Sequence, residues 1–292
     1  MNSLNDLRQM LETTLEQEAR RIGLTEPVTL YDPIHYALKV GGKRLRPVML
    51  LMACELFGGK AEEAMPAALG IEIFHNFTLL HDDIMDKAIM RRNQPSVHIR
   101  YSTNAAILSG DAMSNMAYQY LLKTRSKFLR EIISLFAKTA TEVCEGQQLD
   151  MDFENLPVVS IDNYLRMIRL KTAVLFGCSL KTGALIAGTS IENAHRIYDF
   201  GIHIGLAFQL QDDLLDIFAE EEKLGKKLGG DILANKKTFL LLKSLELASP
   251  RQKEELLRWI GDKSCNPGEK IAAVKNIYNQ THIRQYTSEL ID

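Results

Sequence analysis

Cysteine is scarce and scattered: Cys54, Cys144, Cys178 and Cys265 stand alone in a chain of 292 residues, with no Cys-x-x-Cys pair. That excludes a zinc knuckle or a thioredoxin-like motif, and few thiols in a chain of this size fit a reducing cytosol. Charge of one sign is missing too. The 35 Lys and Arg residues nearly cancel the 37 Asp and Glu residues, for a net charge of -2, so the basic excess of a general nucleic-acid binder is absent. No apolar run approaches the length of a membrane span; LKTGALIAGTS (180–190) comes nearest and is too short. The opening residues, MNSLNDLRQMLETTLEQEAR, are polar and acidic and contain no signal-peptide core. These absences lead to the expectation of a cytoplasmic protein with no nucleic-acid partner and no membrane span.

Runs of valine and threonine typical of strands are scarce, and no Pro/Ser/Gly-rich linker divides the chain. What is present is helical patterning, with apolar residues recurring at three- and four-residue spacing, and 46 % hydrophobic residues to fill a core. Leu4, Leu7, Leu11, Leu15 and Ile22 predict an amphipathic helix over 4–22. Asp32-Pro33 reads as a cap and first-turn proline that start a second helix, ended by Gly41-Gly42. Pro47 opens a third, ending near Gly58-Gly59, and a long apolar helix follows from about Glu62 to Asp86. Further helices are expected at 102–123, 127–150, 161–187, 190–220, 236–247, 250–260 and 267–278. The fold class is all-α, a single large helical bundle over residues 1–292.

Two segments, LLHDDIMD and QLQDDLLD, each place an Asp-Asp-x-x-Asp cluster late in an apolar helix. Residues i and i+4 share a helix face, so Asp82 projects with Asp86 and Asp212 with Asp216. Asp83 and Asp213 lie off to one side. Several carboxylates beside a core repel one another and resist ionisation, and cations are the usual remedy. Carboxylate oxygens with no thiolate nearby suit a hard ion such as magnesium, which keeps waters and fills its shell with phosphate oxygens. One such cluster could be a solvated helix face. Two of them at the ends of apolar helices weigh against that.

Basic residues accompany the acids. Gly41-Gly42-Lys43-Arg44-Leu45-Arg46-Pro47 is a glycine-loosened turn entering a helix N-terminus, a natural anion site. Arg91-Arg92 follows the first aspartate cluster, and Lys226, Lys227, Lys236 and Lys237 follow the second around Gly229-Gly230-Asp231. Each group alone is more often solvated surface; the repeated order of acid cluster then basic cluster points to an anionic substrate held with metal.

The combination of GGKRLRP, HDDIMD, Arg91-Arg92, Lys171-Thr172 and FQLQDDLLD with GKKLGGD…NKKT resembles the trans-type polyprenyl synthetase family, which includes farnesyl and geranylgeranyl diphosphate synthases. The resemblance spans nearly the whole chain. It implies a bundle of helices around a deep central cavity (the isoprenoid synthase fold), usually a homodimer. It also implies three magnesium ions with substrate bound, with manganese as a substitute: Asp82 and Asp86 would hold two and Asp212 the third. Asp83, Asp213 and Asp216 would support them by hydrogen bonding or through water, and Asp231 would lie behind the metals. Lys43, Arg46, His75 and Arg92 would hold isopentenyl diphosphate. Arg91, Lys171, Gln209, Lys227 and Lys236 would hold the allylic diphosphate (dimethylallyl, geranyl or farnesyl). Thr172 and Gln209 would line the site near the developing cation. Lys226 and Lys237 neighbour the matched lysines.

The implied chemistry is ionisation, condensation and elimination. Its hard step is building negative charge on the departing diphosphate, which preorganised cations stabilise without any nucleophilic side chain. The cavity below must be apolar, because water would quench the cation. Phe77 and Phe74 precede Asp82 by five and eight positions, about 7.5 and 12 Å along a helix axis. Phe77 resembles a floor for the growing chain, against plain core packing as the alternative. Thr78 stands where many animal-type farnesyl synthases carry an aromatic. Farnesyl and geranylgeranyl products both stay open, with geranylgeranyl favoured.

Three rival readings compete with this one. A di-iron carboxylate bundle would use Glu72–His75 and Glu192–His195, two Glu-x-x-His motifs. A terpene cyclase would share the helical fold but has no need of Lys43, Arg46 and Arg92. A non-catalytic subunit of a heteromeric synthase would typically lose an aspartate motif, and both are intact.

Overall fold

A computed structural model of the chain describes residues 2–219, 228–262 and 264–292. The described residues are almost entirely helical, because the apolar spacing closes into stripes. In α1 (Leu4–Gly23) the buried residues Leu7, Leu11, Leu15, Ala19 and Ile22 form one such stripe, and a capping box between Ser3 and Asp6 fixes its start.

The second helix departs from expectation. α2 runs Val28–Lys39, with Pro33 inside it rather than in its first turn. The Pro27 carbonyl accepts the first helical N–H groups, from Leu30 and Tyr31. Asp32 is no cap; its carboxylate accepts the Tyr101 hydroxyl at 2.8 Å. A proline inside a helix gives up one intrahelical N–H bond, and α2 nonetheless continues to Lys39. Gly41 and Gly42, at φ +86° and +146°, then end the helix as expected.

α3 (Leu45–Leu56) carries Pro47 in its first turn, and α4 (Ala61–Met85) is buried on most sides, as a central helix must be. A two-residue ribbon, β1 (Met90–Arg91) with β2 (Gln94–Pro95), turns through Arg92 and Asn93, at φ +51° and +61°. It leads to α5 (Val97–Arg100), α6 (Thr103–Leu122) and α7 (Leu129–Asn155). The helix expected over 161–187 is interrupted: α8 (Ile161–Ile168) passes through a π-helical turn, Arg169–Ala173, into α9 (Val174–Ile186). α10 (Ile191–Phe218) follows, then α11 (Gly230–Leu233), α12 (Phe239–Leu247), α13 (Pro250–Gly261) and α14 (Pro267–Gln280). The closing α15 (Ile283–Ile291) and the Arg91–Arg92 ribbon were not anticipated.

The chain forms two compact units. The first comprises residues 1–140 and 175–201, the second 141–174 and 202–292. In the first, α6 and α3 pack on α4. Gly70 of α4 lets α6 approach so closely that a Cβ there would lie 2.9 Å from the Ala117 carbonyl. In the second, the C-terminal half of α10 contributes Leu214 and Ile217 to one apolar cluster with Leu240, Val274 and Tyr278. It contributes Leu210 to another with Tyr164, Met167 and Phe239. The aspartates of 212–216 are thereby carried on a helix anchored by its other faces.

The π turn lies where α7 and the chain at Lys171 are nearly in backbone contact. A Cβ on Gly146 would stand 2.2 Å from the Lys171 nitrogen, and backbone cannot yield as a side chain can. Gly146→Ala should therefore cost about 1–3 kcal/mol of stability, read by chemical denaturation, and should depress turnover by displacing Lys171. A variant as stable and active as wild type would show that the turn shifts freely.

Candidate active site

In the first unit, the C-terminal turn of α4 brings three carboxylates to the negative end of a helix dipole, where cations are favoured. They are not equivalent. Asp83 is buried at 3 % exposure and grips Arg91, which donates from Nε at 2.8 and 2.9 Å and from Nη2 at 2.6 Å. Arg91 Nη2 also lies 3.6 Å from Asp82. Burial raises the Asp83 pKa despite the arginine. Burial also opposes the charge on Arg91, but Asp83, Asp82 and Asp86 outweigh it and hold its pKa up. Asp82 and Asp86, one turn apart, are the more accessible pair, and Asp86 is exposed.

Arg92, the next residue on the ribbon, faces a different set. Its guanidinium lies over Gly42, where a Cβ would stand 2.7 Å from Nη1. Arg44, at left-handed φ +53°, points inward. It ion-pairs with Glu72 in full burial and donates from Nη2 to the Leu38 carbonyl at 3.0 Å. Arg46 Nη1 lies 3.3 Å from His75 Nε2, and its guanidinium stacks 4.4 Å over the Phe176 ring. Burial lowers the Arg46 pKa to about 10 and lowers that of Arg92 as well. Burial, then Arg46, Arg92, Arg91 and Arg44, drive the His75 pKa well below 6.5. His75 is thus a neutral imidazole among guanidiniums. Lys43 is exposed beside this group.

Phe74 is 1 % exposed and packs edge-on to Phe136 at 5.0 Å. Phe77 is half-buried, between Phe74 at 5.4 Å and His81 at 4.8 Å. Thr78 donates to the His75 carbonyl at 2.8 Å.

In the second unit, Asp213 is buried and bound twice. Tyr164 Oη donates to Oδ2 at 2.5 Å and Gln209 Nε2 donates to Oδ1 at 3.1 Å. Thr172 in turn donates to Gln209 Oε1 at 3.0 Å. Burial raises the Asp213 pKa to about 7. Asp212 is exposed. Asp216 Oδ2 accepts the Asp231 N–H at 3.1 Å, and burial with Asp216 lifts the Asp231 pKa to about 6. Lys171, on the π turn, ion-pairs with Asp150 at 2.6 Å. The Lys236 N–H donates to the Asp231 carbonyl at 3.0 Å. Lys226 and Lys227 lie outside the described residues.

Sequence reading missed several participants. Arg44 sits inside a motif already singled out, but nothing in its spacing marks it as the buried arginine. Glu72 entered as an iron ligand; it is instead the partner of Arg44 and of Asn76, whose Nδ2 donates at 2.9 Å. Tyr164 and Asp150 carry no sequence signal, since each meets its partner only through folding. The second Glu-x-x-His motif is a surface feature: Glu192 pairs with Arg196 at 2.7 Å, both largely exposed. Among the described residues no three His, Cys, Asp or Glu side chains form a ready metal cage, and no helix is long and apolar enough to cross a membrane.

Within the first unit, carboxylates at the end of α4 and arginines gathered around a neutral histidine suit an enzyme that handles a phosphorylated substrate with metal. The comparisons are specific. The polyprenyl synthetase family model matches residues 27–280. A geranylgeranyl diphosphate synthase of Methanosarcina mazei is 42 % identical over 225 residues, 76 % of this chain and 69 % of that one. A geranylfarnesyl diphosphate synthase of Natronomonas pharaonis is 39 % identical over 249 residues, 79 % and 73 % of the two chains. A crystal structure of a geranylgeranyl pyrophosphate synthase superposes at TM-score 0.94 with 46 % identity, covering all of this chain and 89 % of the other. The chain belongs to the polyprenyl synthetase family. It is a short-chain prenyltransferase with the all-helical isoprenoid synthase fold, and its family works with a divalent metal.

The neutral state of His75 has a measurable consequence. Its folded pKa is depressed, so the unfolded chain takes up a proton on passing below pH 6.5 while the folded chain does not. Stability is therefore lost as pH falls from 7.5 to 5.5, by about 1 kcal/mol from this group. His75→Gln should remove that share of the slope, measured by denaturation at each pH. Equal slopes in the two proteins would mean that His75 titrates normally.

Proposed function

We propose that the chain condenses isopentenyl diphosphate with an allylic diphosphate and makes chiefly geranylgeranyl diphosphate. The observation that carries this reading is the Arg91–Arg92 ribbon. Adjacent residues serve two different anion environments in one unit: Arg91 the carboxylates at the end of α4, Arg92 the arginine cluster beside His75. That suits two diphosphates held side by side, one through metal and one through protein cations alone.

On this reading Lys43, Arg46, His75 and Arg92 bind isopentenyl diphosphate. Because His75 is neutral, it offers an N–H to a phosphate oxygen without adding charge. Arg91, Lys171, Gln209 and Lys236, with Lys227, hold the allylic diphosphate. The donor chemistry fits magnesium: hard carboxylate oxygens at helix C-termini, with Asp82, Asp86 and Asp212 more accessible than the inward-tied Asp83 and Asp213. Three bound ions would neutralise charge on the leaving diphosphate. The arginines and lysines share that load as the carbon–oxygen bond breaks. Thr172 and Gln209, already hydrogen-bonded to each other, present fixed dipoles near the cation. The double bond of isopentenyl diphosphate attacks, and a proton passes to the departed diphosphate oxygen. Both units would serve one catalytic domain, working as a cytoplasmic homodimer; the scattered cysteines support the compartment.

The product assignment rests on Phe77, half-buried five residues before Asp82, with the small Thr78 following it. The geranylgeranyl and geranylfarnesyl names of the relatives favour a product longer than farnesyl.

The test is incubation with magnesium, labelled isopentenyl diphosphate and, in parallel, dimethylallyl, geranyl or farnesyl diphosphate. Label should enter a geranylgeranyl product with each starter; no incorporation by the folded protein would sink the reading. Asp82→Ala should retain its helical signal and lose about 10²–10³ in kcat, and near-normal turnover would remove Asp82 from the metal site. Phe77→Ala should lengthen the product; an unchanged profile would return Phe77 to plain packing.

A further inference from the structure

Glu72 is spent neither on metal nor on any substrate role assigned above, yet it sits at the centre of the arginine cluster. It shares one face of α4 with His75 and Asn76. Its Oε1 accepts from both Arg44 Nη1 and Asn76 Nδ2. Its Oε2 is buried without a hydrogen-bond partner among the described residues, as are Arg44 Nε and Arg46 Nε. The carboxylate is 1 % exposed and Arg44 7 %, so solvent screens neither. Arg44 also takes the Leu38 carbonyl at the end of α2 and occupies the N-cap of α3. The ion pair thus ties three helix segments together where Arg46 leaves α3, next to the Gly42 turn that the Arg92 guanidinium covers.

The charges do not balance. Arg44, Arg46 and Arg92 share Glu72, which favours the charged forms of Arg46 and Arg92, while Asp83, the other buried carboxylate acting on Arg92, is already paired with Arg91. With His75 neutral, the cluster keeps an excess of positive charge. We propose that Glu72 is the resident counter-anion of the isopentenyl diphosphate site: a positioning residue that holds the arginines together before substrate arrives and thereby limits how tightly the substrate binds. This rests on the reading of that cluster as the isopentenyl diphosphate site.

A merely structural ion pair and a counter-anion differ in sign. Loss of a structural pair weakens both the fold and the site. Loss of a counter-anion weakens the unliganded fold, through arginine–arginine repulsion, but strengthens the field an incoming diphosphate meets. The experiment is calorimetric titration of isopentenyl diphosphate, in buffer with a chelator and no metal, into the full chain, its Glu72→Gln variant and the charge-balanced Arg44→Gln/Glu72→Gln double variant. Thermal melts are taken with and without ligand. Glu72→Gln should melt lower than wild type without ligand and bind about five- to tenfold tighter, with the melting gap narrowing at saturation. The double variant should return to within about twofold of wild-type affinity. If Glu72→Gln is unfolded alone, isopentenyl diphosphate should restore its helical circular dichroism. Unchanged or weaker binding by folded Glu72→Gln, or no rescue of an unfolded one, overturns the proposal while leaving the site assignment standing. No binding by wild type would instead remove the site assignment, and this inference with it.

Discussion

Like charge gathered beside an apolar core is the constraint around which this protein is arranged. Carboxylates crowd the C-terminal turns of α4 and α10, and guanidiniums crowd the entry to α3. In water either grouping would cost little; next to a core the field is poorly screened and each charge needs a partner. The fold answers by dividing the labour within each cluster. One aspartate of each triplet turns inward and is tied, Asp83 by Arg91 and Asp213 by Tyr164 and Gln209. The remaining acids are left at the helix end, where the dipole already favours a cation. Family membership supplies the chemistry that uses them.

The inward ties also fix geometry. A bidentate arginine on Asp83 sets the direction of the ribbon carrying Arg92. The N–H of Asp231 on Asp216 sets the turn that precedes Lys236. Residues that touch no substrate in the proposed mechanism thus decide where the binding residues stand. Truncating one partner of a buried pair such as Arg44–Glu72 would leave an uncompensated charge, at a cost of about 3–5 kcal/mol. Backbone approach does the same work without charge: Gly42 makes room for Arg92, and Gly146 for the π turn that presents Lys171 and Thr172. A π turn inserts an extra residue into a helical turn, which re-aims side chains without breaking the helix.

Most helices were legible because burial on one face forces a period, and the period is written in residues such as Leu7, Leu11 and Leu15. The long helix ending at Asp86 was legible differently, as an extended apolar run, because it is buried on most sides. At Asp32-Pro33 a strong local start signal is overridden by the fold. Pro27 had already supplied the first turn, and Asp32 had a distant partner in Tyr101. The break at Arg169–Ala173 has no local signal; it falls where Gly146 of α7 meets the Lys171 backbone.

Fold class and family were legible before folding: helical spacing is a local property, and paired aspartates with their following arginines and lysines are contiguous motifs. So were the residues proposed to bind substrate, since each lies inside such a motif. How those residues divide their roles came from contacts made on folding. That Asp83 is an anchor while Asp82 and Asp86 stay accessible depends on Arg91, eight residues on across a turn; that Arg44 is buried on Glu72, and that Tyr164 and Asp150 hold Asp213 and Lys171, depends on partners 21 to 49 residues away. Electrostatic compensation is a matter of separation in space, and spacing along the chain records it only where a helix makes the two the same.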